Sequence, residues 1–407
     1  MEAILEKKLE FDKSEWKPVK FGDVIREPKE SIKDPATAGV ECVVGLEHIE
    51  PENIHLRSFN NLEESTTFTK AFKKGDVLFG RRRAYLKKAA LAEFNGICSG
   101  DITVFRAKEN LLPEILPFIV NNEKFFDWAV KHSAGGLSPR VKFKDLAKYE
   151  FLLPPKDQQD QFAELLWAMD DVIEKESLVL KKLTRAYSVT LNEFMIHGEH
   201  SKDVELVKTK CGLLDKRIDL IQLKDCLREK PNYGANASSK VYKNNGEPRY
   251  IRITDIDDEG NLIPDDKVSI DSKNYDQYIL DNGDFLFART GNTVGKTLLY
   301  TSDMEPSVFA GYLIRFRLKP EILNPRFLFY FTKSLKYETF KRKMIKVGAQ
   351  PNINSVEYQS MFLPYFSIGL QNKICAKLDS IRQNINDLKS KIESSSALQK
   401  SLINQIF

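Results

Sequence analysis

Two stretches of the chain carry apolar residues at alternating steps of four and three. One walk reads Phe162, Leu166, Met169, Ile173, Glu176, Leu180, Leu183, Tyr187, Thr190 and Phe194. The other reads Ile374, Leu378, Ile381, Ile385, Leu388, Ile392, Ser395, Gln399, Leu402 and Ile406. Only two positions in each are polar, and a heptad seam held over more than four heptads predicts a coiled-coil helix rather than an amphipathic surface helix. At 1.5 Å per residue each helix would run about 50 to 60 Å. Such a helix draws most of its stability from packing its apolar stripe, and the obvious partners are each other.

Outside the seams, apolar residues fall in short β-branched runs bounded by turns, and the order of these runs is written twice. Lys74-Gly75-Asp76-Val77-Leu78-Phe79 returns as Asn282-Gly283-Asp284-Phe285-Leu286-Phe287, an offset of 208. VVGLEHI, from Val43, matches YIRITDI, from Tyr250, at 207; SGDITVFRAK, from Ser99, matches AGYLIRFRLK, from Ala310, at 211. Gly136-Leu137-Ser138-Pro139 corresponds to Gly348-Ala349-Gln350-Pro351, and Leu153-Pro154 to Leu363-Pro364. Offsets that drift so little indicate a duplicated domain with small loop insertions, because a solenoid unit is far shorter. Each copy also carries a helical stretch, 113–131 and 325–344, ahead of a Gly-Pro loop, which makes it a mixed α/β unit.

These signals divide the chain into a first globular domain (1–153), a first long helix (154–197), a charged linker (198–216), a second globular domain (217–363) and a second long helix (364–407). A whole domain separates the helices in sequence, so antiparallel packing is the natural solution. The expected fold is α+β: two similar α/β globular domains joined by two long antiparallel coiled-coil helices, with pseudo-two-fold symmetry.

Composition narrows the function. The 407 residues suffice for two or three domains, and 42% apolar with 29% charged residues is the make-up of an ordinary soluble protein. Lys and Arg number 62 against 58 Asp and Glu, so any affinity for nucleic acid must come from local patches. No apolar run is long enough to span a membrane, and MEAILEKKLEFDKSE is too charged for a signal peptide, so a cytoplasmic location is expected. Cys42, Cys98, Cys211, Cys226 and Cys375 are scattered and odd in number, which predicts reduced, structural thiols. His197 and His200 with Cys211 lack the paired spacing of a zinc site, and no metal is expected.

Two local runs are basic: Arg81-Arg82-Arg83-Ala84-Tyr85-Leu86-Lys87-Lys88, and Lys341-Arg342-Lys343-Met344-Ile345-Lys346. Two similar domains held at a fixed separation suit DNA, whose backbone has local dyads, and such runs supply phosphate contacts. Against this stands RTGNTVGKT, Arg289 to Thr297, which ends as a nucleotide-binding P-loop ends. A P-loop needs four residues between its glycines and a helix after it. Gly291 and Gly295 have three residues between them, and a turn signal follows at Thr301-Ser302-Asp303. Moved back by 208, Arg289 and Lys296 fall on Arg81 and Lys88, and the first copy has no glycine between Gly80 and Gly96. Loops with basic ends and different interiors fit two domains reading different half-sites, the glycines allowing a turn close to the DNA backbone.

In these words the chain resembles the specificity subunit of a type I restriction-modification system over essentially its whole length. The repeated Lys/Asn-Gly-Asp blocks carry the resemblance, as do the helix entries LPPKDQQDQF, with Gln159 and Phe162, and LPYFSIGLQNKI, with Gln371 and Ile374. The second entry departs from the family's Leu-Pro-Pro at Tyr365. The resemblance implies two target-recognition domains and a non-catalytic subunit that binds double-stranded DNA at an asymmetric, two-part sequence. It implies partners as well: two DNA adenine methyltransferase subunits and restriction (translocase/nuclease) subunits, to which S-adenosylmethionine, ATP and Mg would belong, leaving this chain no cofactor of its own. The residues agree by omission. Leu153-Pro154-Pro155-Lys156 and Asn324-Pro325-Arg326-Phe327 both lack the Asn/Asp-Pro-Pro-Tyr/Phe of an amino-methyltransferase, and Asp265, Asp271 and Lys273 lie too close together for a nuclease centre.

The polar and basic residues of loops present in both copies are the candidate readers: Arg81, Arg82, Arg83, Lys87, Lys88, Ser138 and Arg140 in the first, and Arg289, Thr290, Asn292, Lys296, Gln350 and Asn352 in the second. Arginine pairs with guanine edges, and Asn or Gln with adenine. The rival readings are a nucleotide-hydrolysing enzyme built on RTGNTVGKT and a scaffold whose paired domains bind proteins.

Overall fold

The seams form helices over their whole length, Lys156–His197 and Ile368–Ile406, of 42 and 39 residues. No position of either walk is exposed. The computed structural model describes residues 11–62, 67–200, 204–243, 246–345 and 350–407. It forms two compact units: Met1–Leu178 with Leu388–Phe407, and Val179–Asp387. Each unit therefore holds one half of each long helix.

In the first unit the Leu166 carbonyl accepts from Gln399 Nε2 at 3.2 Å, and Glu176 pairs with Lys391 at 2.8 Å. In the second, Lys377 lies 5.5 Å from the centre of the Phe194 ring, and Glu199 meets Lys373 at 4.0 Å. As one helix advances the other retreats, so the helices pack antiparallel within each unit, as the seams predict. Leu166, Leu402 and Ile406 join the core of the first unit, and Met195, Ile374 and Leu378 that of the second.

The strands of the first unit are β1 (Lys17–Lys20), β2 (Ile25–Arg26), β3 (Cys42–Val44), β4 (Asn60–Asn61), β5 (Lys70–Phe72), β6 (Val77–Gly80), β7 (Ala89–Leu91), β8 (Gly96–Cys98), β9 (Ile102–Ala107) and β10 (Glu150–Leu153). They form a sheet β2-β9-β6-β7, a sheet β4-β3-β8-β5, and the pair β1-β10 that leads into the first long helix. The second unit has β11 (Leu206–Thr209), β12 (Gly212–Asp215), β13 (Asp219–Gln222), β14 (Asn232–Tyr233), β15 (Ser239–Val241), β16 (Arg249–Ile251), β17 (Val268–Ile270), β18 (Phe285–Ala288), β19 (Thr297–Leu299), β20 (Ser307–Phe309), β21 (Leu313–Phe316) and β22 (Phe362–Tyr365). Here the sheets are β14-β21-β18-β19 and β15-β17-β16-β20, and the pair β13-β22 leads into the second long helix.

The sequence offsets reappear as strand register. Val43 pairs with Ile97 in the parallel ladder β3-β8, and Tyr250 pairs with Val308 in the parallel ladder β16-β20, offsets of 207 and 211. The repeated apolar words are core: Phe79 stacks on Phe105 at 5.4 Å, and its counterpart Phe287 meets Phe316 at 5.0 Å. Burying each ring contributes roughly 2 to 3 kcal/mol.

The aspartates of the repeated turns also have structural work. Asp76 accepts from Lys73 N at 2.7 Å and takes a two-pronged contact from Arg106 at 2.6 and 2.7 Å; Asp284 accepts from Asp281 N and from Arg317 in the same way. The predicted helical stretches are each broken once, at Asn122 in the first, and Asn324 caps the second, where Pro325 opens it. The stretch 198–216, expected as a linker, holds the antiparallel hairpin β11-β12, whose turn ends at Gly212 with a φ of 90°.

Candidate functional site

Two loops meet in each unit, and they meet through the same backbone hydrogen bonds. In the first unit the loop after β6 is joined to the Gly-Pro loop. Arg81 N donates to Asp101 O, Val141 N to Arg81 O and Arg83 N to Pro139 O, at 2.9, 3.0 and 2.8 Å. In the second unit Arg289 N donates to Tyr312 O, Ile353 N to Arg289 O and Gly291 N to Pro351 O, at 3.0, 2.8 and 3.0 Å. Isolated antiparallel bridges repeat the match, Arg82 with Arg140 and Thr290 with Asn352. Ser138 and Gln350 stand at one offset, Arg140 and Asn352 at the same one. The structure thus brings together, in each unit, the two loops that the candidate readers occupy.

RTGNTVGKT connects β18 to its antiparallel neighbour β19. No helix follows it, so the phosphate cradle of a P-loop is not formed. Its glycines answer a backbone requirement: Gly291 and Gly295 have φ of 70° and 85°. At the corresponding places in the first unit Arg83 and Lys87 have φ of 55° and 49°. The same turn is made with and without glycine, at a cost of about 1 to 2 kcal/mol per left-handed non-glycine residue. Held conformations of this kind cluster at functional sites.

On this shared frame the chemistry differs. In the first unit Asp101 sits between two guanidiniums, 2.7 Å from Arg140 Nε and 3.4 Å from Arg82 Nη1. The hydrogen bond from Arg140, with Arg82 behind it, holds the Asp101 carboxyl below the usual carboxylate range. Arg82 Nη2 also donates to Ser138 Oγ at 3.0 Å. In the second unit the three corresponding residues are Tyr312, Asn352 and Thr290, all neutral, with Asn352 and Tyr312 exposed. Thr290 Oγ1 donates to Pro351 O at 3.4 Å.

Several candidates are occupied within the protein. Lys87 pairs with Glu123 and Glu52 at 3.0 and 3.2 Å, which raises its pKa, Glu123 acting most. Lys88 Nζ donates to Leu46 O at 2.7 Å, and Lys296 meets Asp258 at 3.0 Å and Ile256 O at 3.1 Å. Both lysines therefore brace the end of the loop. Arg83 Nη2 reaches Leu137 O at 3.5 Å. Asn292 and Gln350 are exposed.

Arg81 and Arg289 differ from these. Among the described residues neither guanidinium makes a hydrogen bond or an ion pair; Arg289 lies 5.0 Å from the Tyr233 ring centre. The Nε atoms of both are buried without a partner, as are those of Arg82 and Arg83. Native structures leave few buried donors unpaired, and such groups call for an explanation in a ligand or a strain.

The second basic run does not act as one patch. Lys341 pairs with Glu338 at 2.7 Å and lies over Tyr337, while Lys343 is exposed on another face of the same helix; Lys346 lies outside the described residues. Sequence reasoning missed Asp101, Tyr312 and Tyr233. The first two carry a weak signal, because they follow the shared glycine of the corresponding blocks SGDITVF and AGYLIRF and differ there in charge.

Comparison with known proteins gives consistent results. The sequence matches the family model for the type I restriction modification DNA specificity domain twice, over residues 13–185 and 221–395. The type I restriction enzyme EcoDI specificity subunit of Escherichia coli is 26% identical over 216 residues, 48% of this chain and 48% of that protein. The MjaVIII specificity subunit of Methanocaldococcus jannaschii is 22% identical over 327 residues, 76% and 73% of the two. The match thus spans about half the length of the first relative. Among solved structures, the S subunit of a type I restriction-modification system from M. genitalium is 14% identical, with a TM-score of 0.58 and 98% of both chains covered. A chain from work on complex assembly and conformational transition of the type I R-M system is 20% identical, with a TM-score of 0.58 and 96% of both covered. At these identities the structural likeness is one of fold.

Proposed function

Because the chain belongs to the type I restriction modification DNA specificity family, we propose that it is a sequence-specific DNA-recognition subunit, each unit reading one half of a two-part target. The carrying observation is the pair Arg81 and Arg289, held by equivalent backbone bonds, whose guanidiniums make no hydrogen bond or ion pair among the described residues. An arginine so placed can take two acceptors on a guanine edge, and its differing neighbours supply different specificity around it. Asp101 with Arg82 and Arg140 makes the first reading surface ionic. Tyr312, Thr290 and Asn352 make the second neutral and rich in amide and hydroxyl groups. Contacts to backbone phosphates would add affinity without sequence information.

The long helices set the spacer between half-sites in this reading, and two adenine methyltransferase subunits and the restriction subunits assemble on the chain. S-adenosylmethionine, ATP and Mg belong to those partners, and the chain itself performs no catalytic step. The test is co-expression with an adenine methyltransferase subunit, followed by sequencing of methylated adenines. A two-part motif is expected, with Arg81→Ala relaxing one half and Arg289→Ala the other. An unchanged motif in both variants defeats the assignment. A motif without two parts defeats the reading itself.

A further inference from the structure

The hairpin β11-β12 closes a cavity of about 510 Å³ against the helix Leu335–Met344 and the start of β22. Its walls carry Lys210, Lys336 and Lys343 with Gln222, over a floor that includes Phe340 and Phe362; among the described residues no carboxylate lines it. Among the described residues none of the three lysines is paired with an acid, although acids and bases are nearly equal in number across the chain. Lys336 Nζ donates to Cys211 O at 3.3 Å and to Leu213 O, which leaves one of its three N–H donors for a ligand. Lys210 Nζ stands 4.8 Å from the Phe362 ring centre, and Lys343 is exposed at the rim. Burial holds the Lys336 ammonium below its ordinary pKa, a shift that a bound anion would reverse.

Three cations facing one concave space without a counter-charge repel one another unless an anion enters. Lys336 and Lys343 stand seven residues apart and share one helix face, and the hairpin turn adds Lys210 from the opposite wall. We infer that this cavity holds a phosphate group, in a site separate from the Arg289 loop. Tyr337, the next residue after Lys336 on this helix, donates to Gly295 O in that loop at 2.8 Å, so one helix carries both the cavity wall and a contact to the Arg289 loop. The phosphate is one of a DNA backbone or a free phosphoryl compound, and both present the same oxygens to the lysines. The first source rests on the DNA-recognition reading; the second does not.

The test uses the full chain with Lys210→Gln and Lys343→Gln together, both on exposed residues without acidic partners, and leaves Lys336 in place to preserve its carbonyl contacts. DNA affinity is measured against salt, and inorganic phosphate is titrated calorimetrically into the free chain. A salt slope smaller by about 0.9 to 1.8 with the methylated motif unchanged identifies one or two backbone phosphate contacts. An unchanged slope, with phosphate binding that the wild type shows and the variant loses, identifies a free phosphoryl ligand. An unchanged slope without any such loss overturns the site. Were the wild type to show no salt-dependent DNA binding, the recognition reading would fail and the phosphate titration alone would decide the cavity.

Discussion

Gln159 and Gln371 are buried at the first turns of the two long helices and make the same hydrogen bonds at an offset of 212. Gln159 Oε1 accepts from Leu112 N at 2.8 Å while its Nε2 donates to Pro154 O at 2.9 Å and Asn110 O at 3.4 Å. Gln371 Oε1 accepts from Asn324 N at 2.9 Å, and its Nε2 donates to Phe366 O at 2.8 Å and Ile322 O at 3.0 Å. One amide thus ties the helix entry to the loop before a domain helix in each unit. Replacing either by Leu leaves a main-chain N–H and two carbonyls unpaired, a loss of roughly 2 to 3 kcal/mol. Chemical denaturation followed by a probe in the affected unit is expected to show that loss in each variant. A change under about 0.5 kcal/mol would show that water satisfies the groups equally well.

The left-handed turns offer a second comparison. A Cβ at Gly291 meets nothing within 4 Å, so Gly291→Ala isolates the backbone cost at φ 70° and should destabilise by about 1 kcal/mol. At Gly295 the Lys341 side chain must also move, since the new Cβ would fall 2.1 Å from its Cδ. In the first unit the prediction reverses: Arg83→Gly should be more stable than Arg83→Ala, by the same margin. Equal melting temperatures for those two variants would remove strain from the account.

Asp101 controls two guanidiniums. Its folded pKa is depressed, so its contribution to stability is present above the unfolded carboxylate value and disappears as pH falls through the folded one. Asp101→Asn frees Arg82 and Arg140 and, under the proposed two-part reading, is expected to raise non-specific DNA affinity while relaxing only one half of the target. Methylated-adenine sequencing beside a random-DNA binding isotherm reads both effects. Relaxation in the other half-site would contradict the division of labour.

His55 titrates in the opposite sense. Its Nε2 lies 2.8 Å from Asp170 Oδ2 on the first long helix, and that hydrogen bond, aided by Glu93, raises its pKa. The stabilisation is complete below about 6.5, the unfolded value, and is lost as pH rises through the higher folded value. Thermal denaturation of the wild type should therefore show this unit losing stability on the alkaline side of 6.5, and Asp170→Asn should flatten that part of the profile. A variant with the wild-type slope would assign the dependence to other groups.

Sequence alone determined the organisation of this protein. The seams, the offsets near 208 and the repeated Gly-Asp turns are statements about period and order, and backbone geometry turns period into helix, strand and register with little help from distant residues. The candidate loops were legible for the same reason, because a duplicated chain marks its own variable segments. Tertiary structure decided which side chains in those loops are at liberty. Arg82 and Arg81 are neighbours in sequence and equal in charge, yet one meets Asp101, 19 residues away, and the other has no such partner among the described residues. Lys88 and Lys296, matched in sequence, each donate to a backbone carbonyl of a distant segment. The glycines of RTGNTVGKT answer a φ that the first unit imposes on Arg83 and Lys87. Partnership and backbone strain depend on what folding brings within a few ångströms, and no local pattern of residues encodes that.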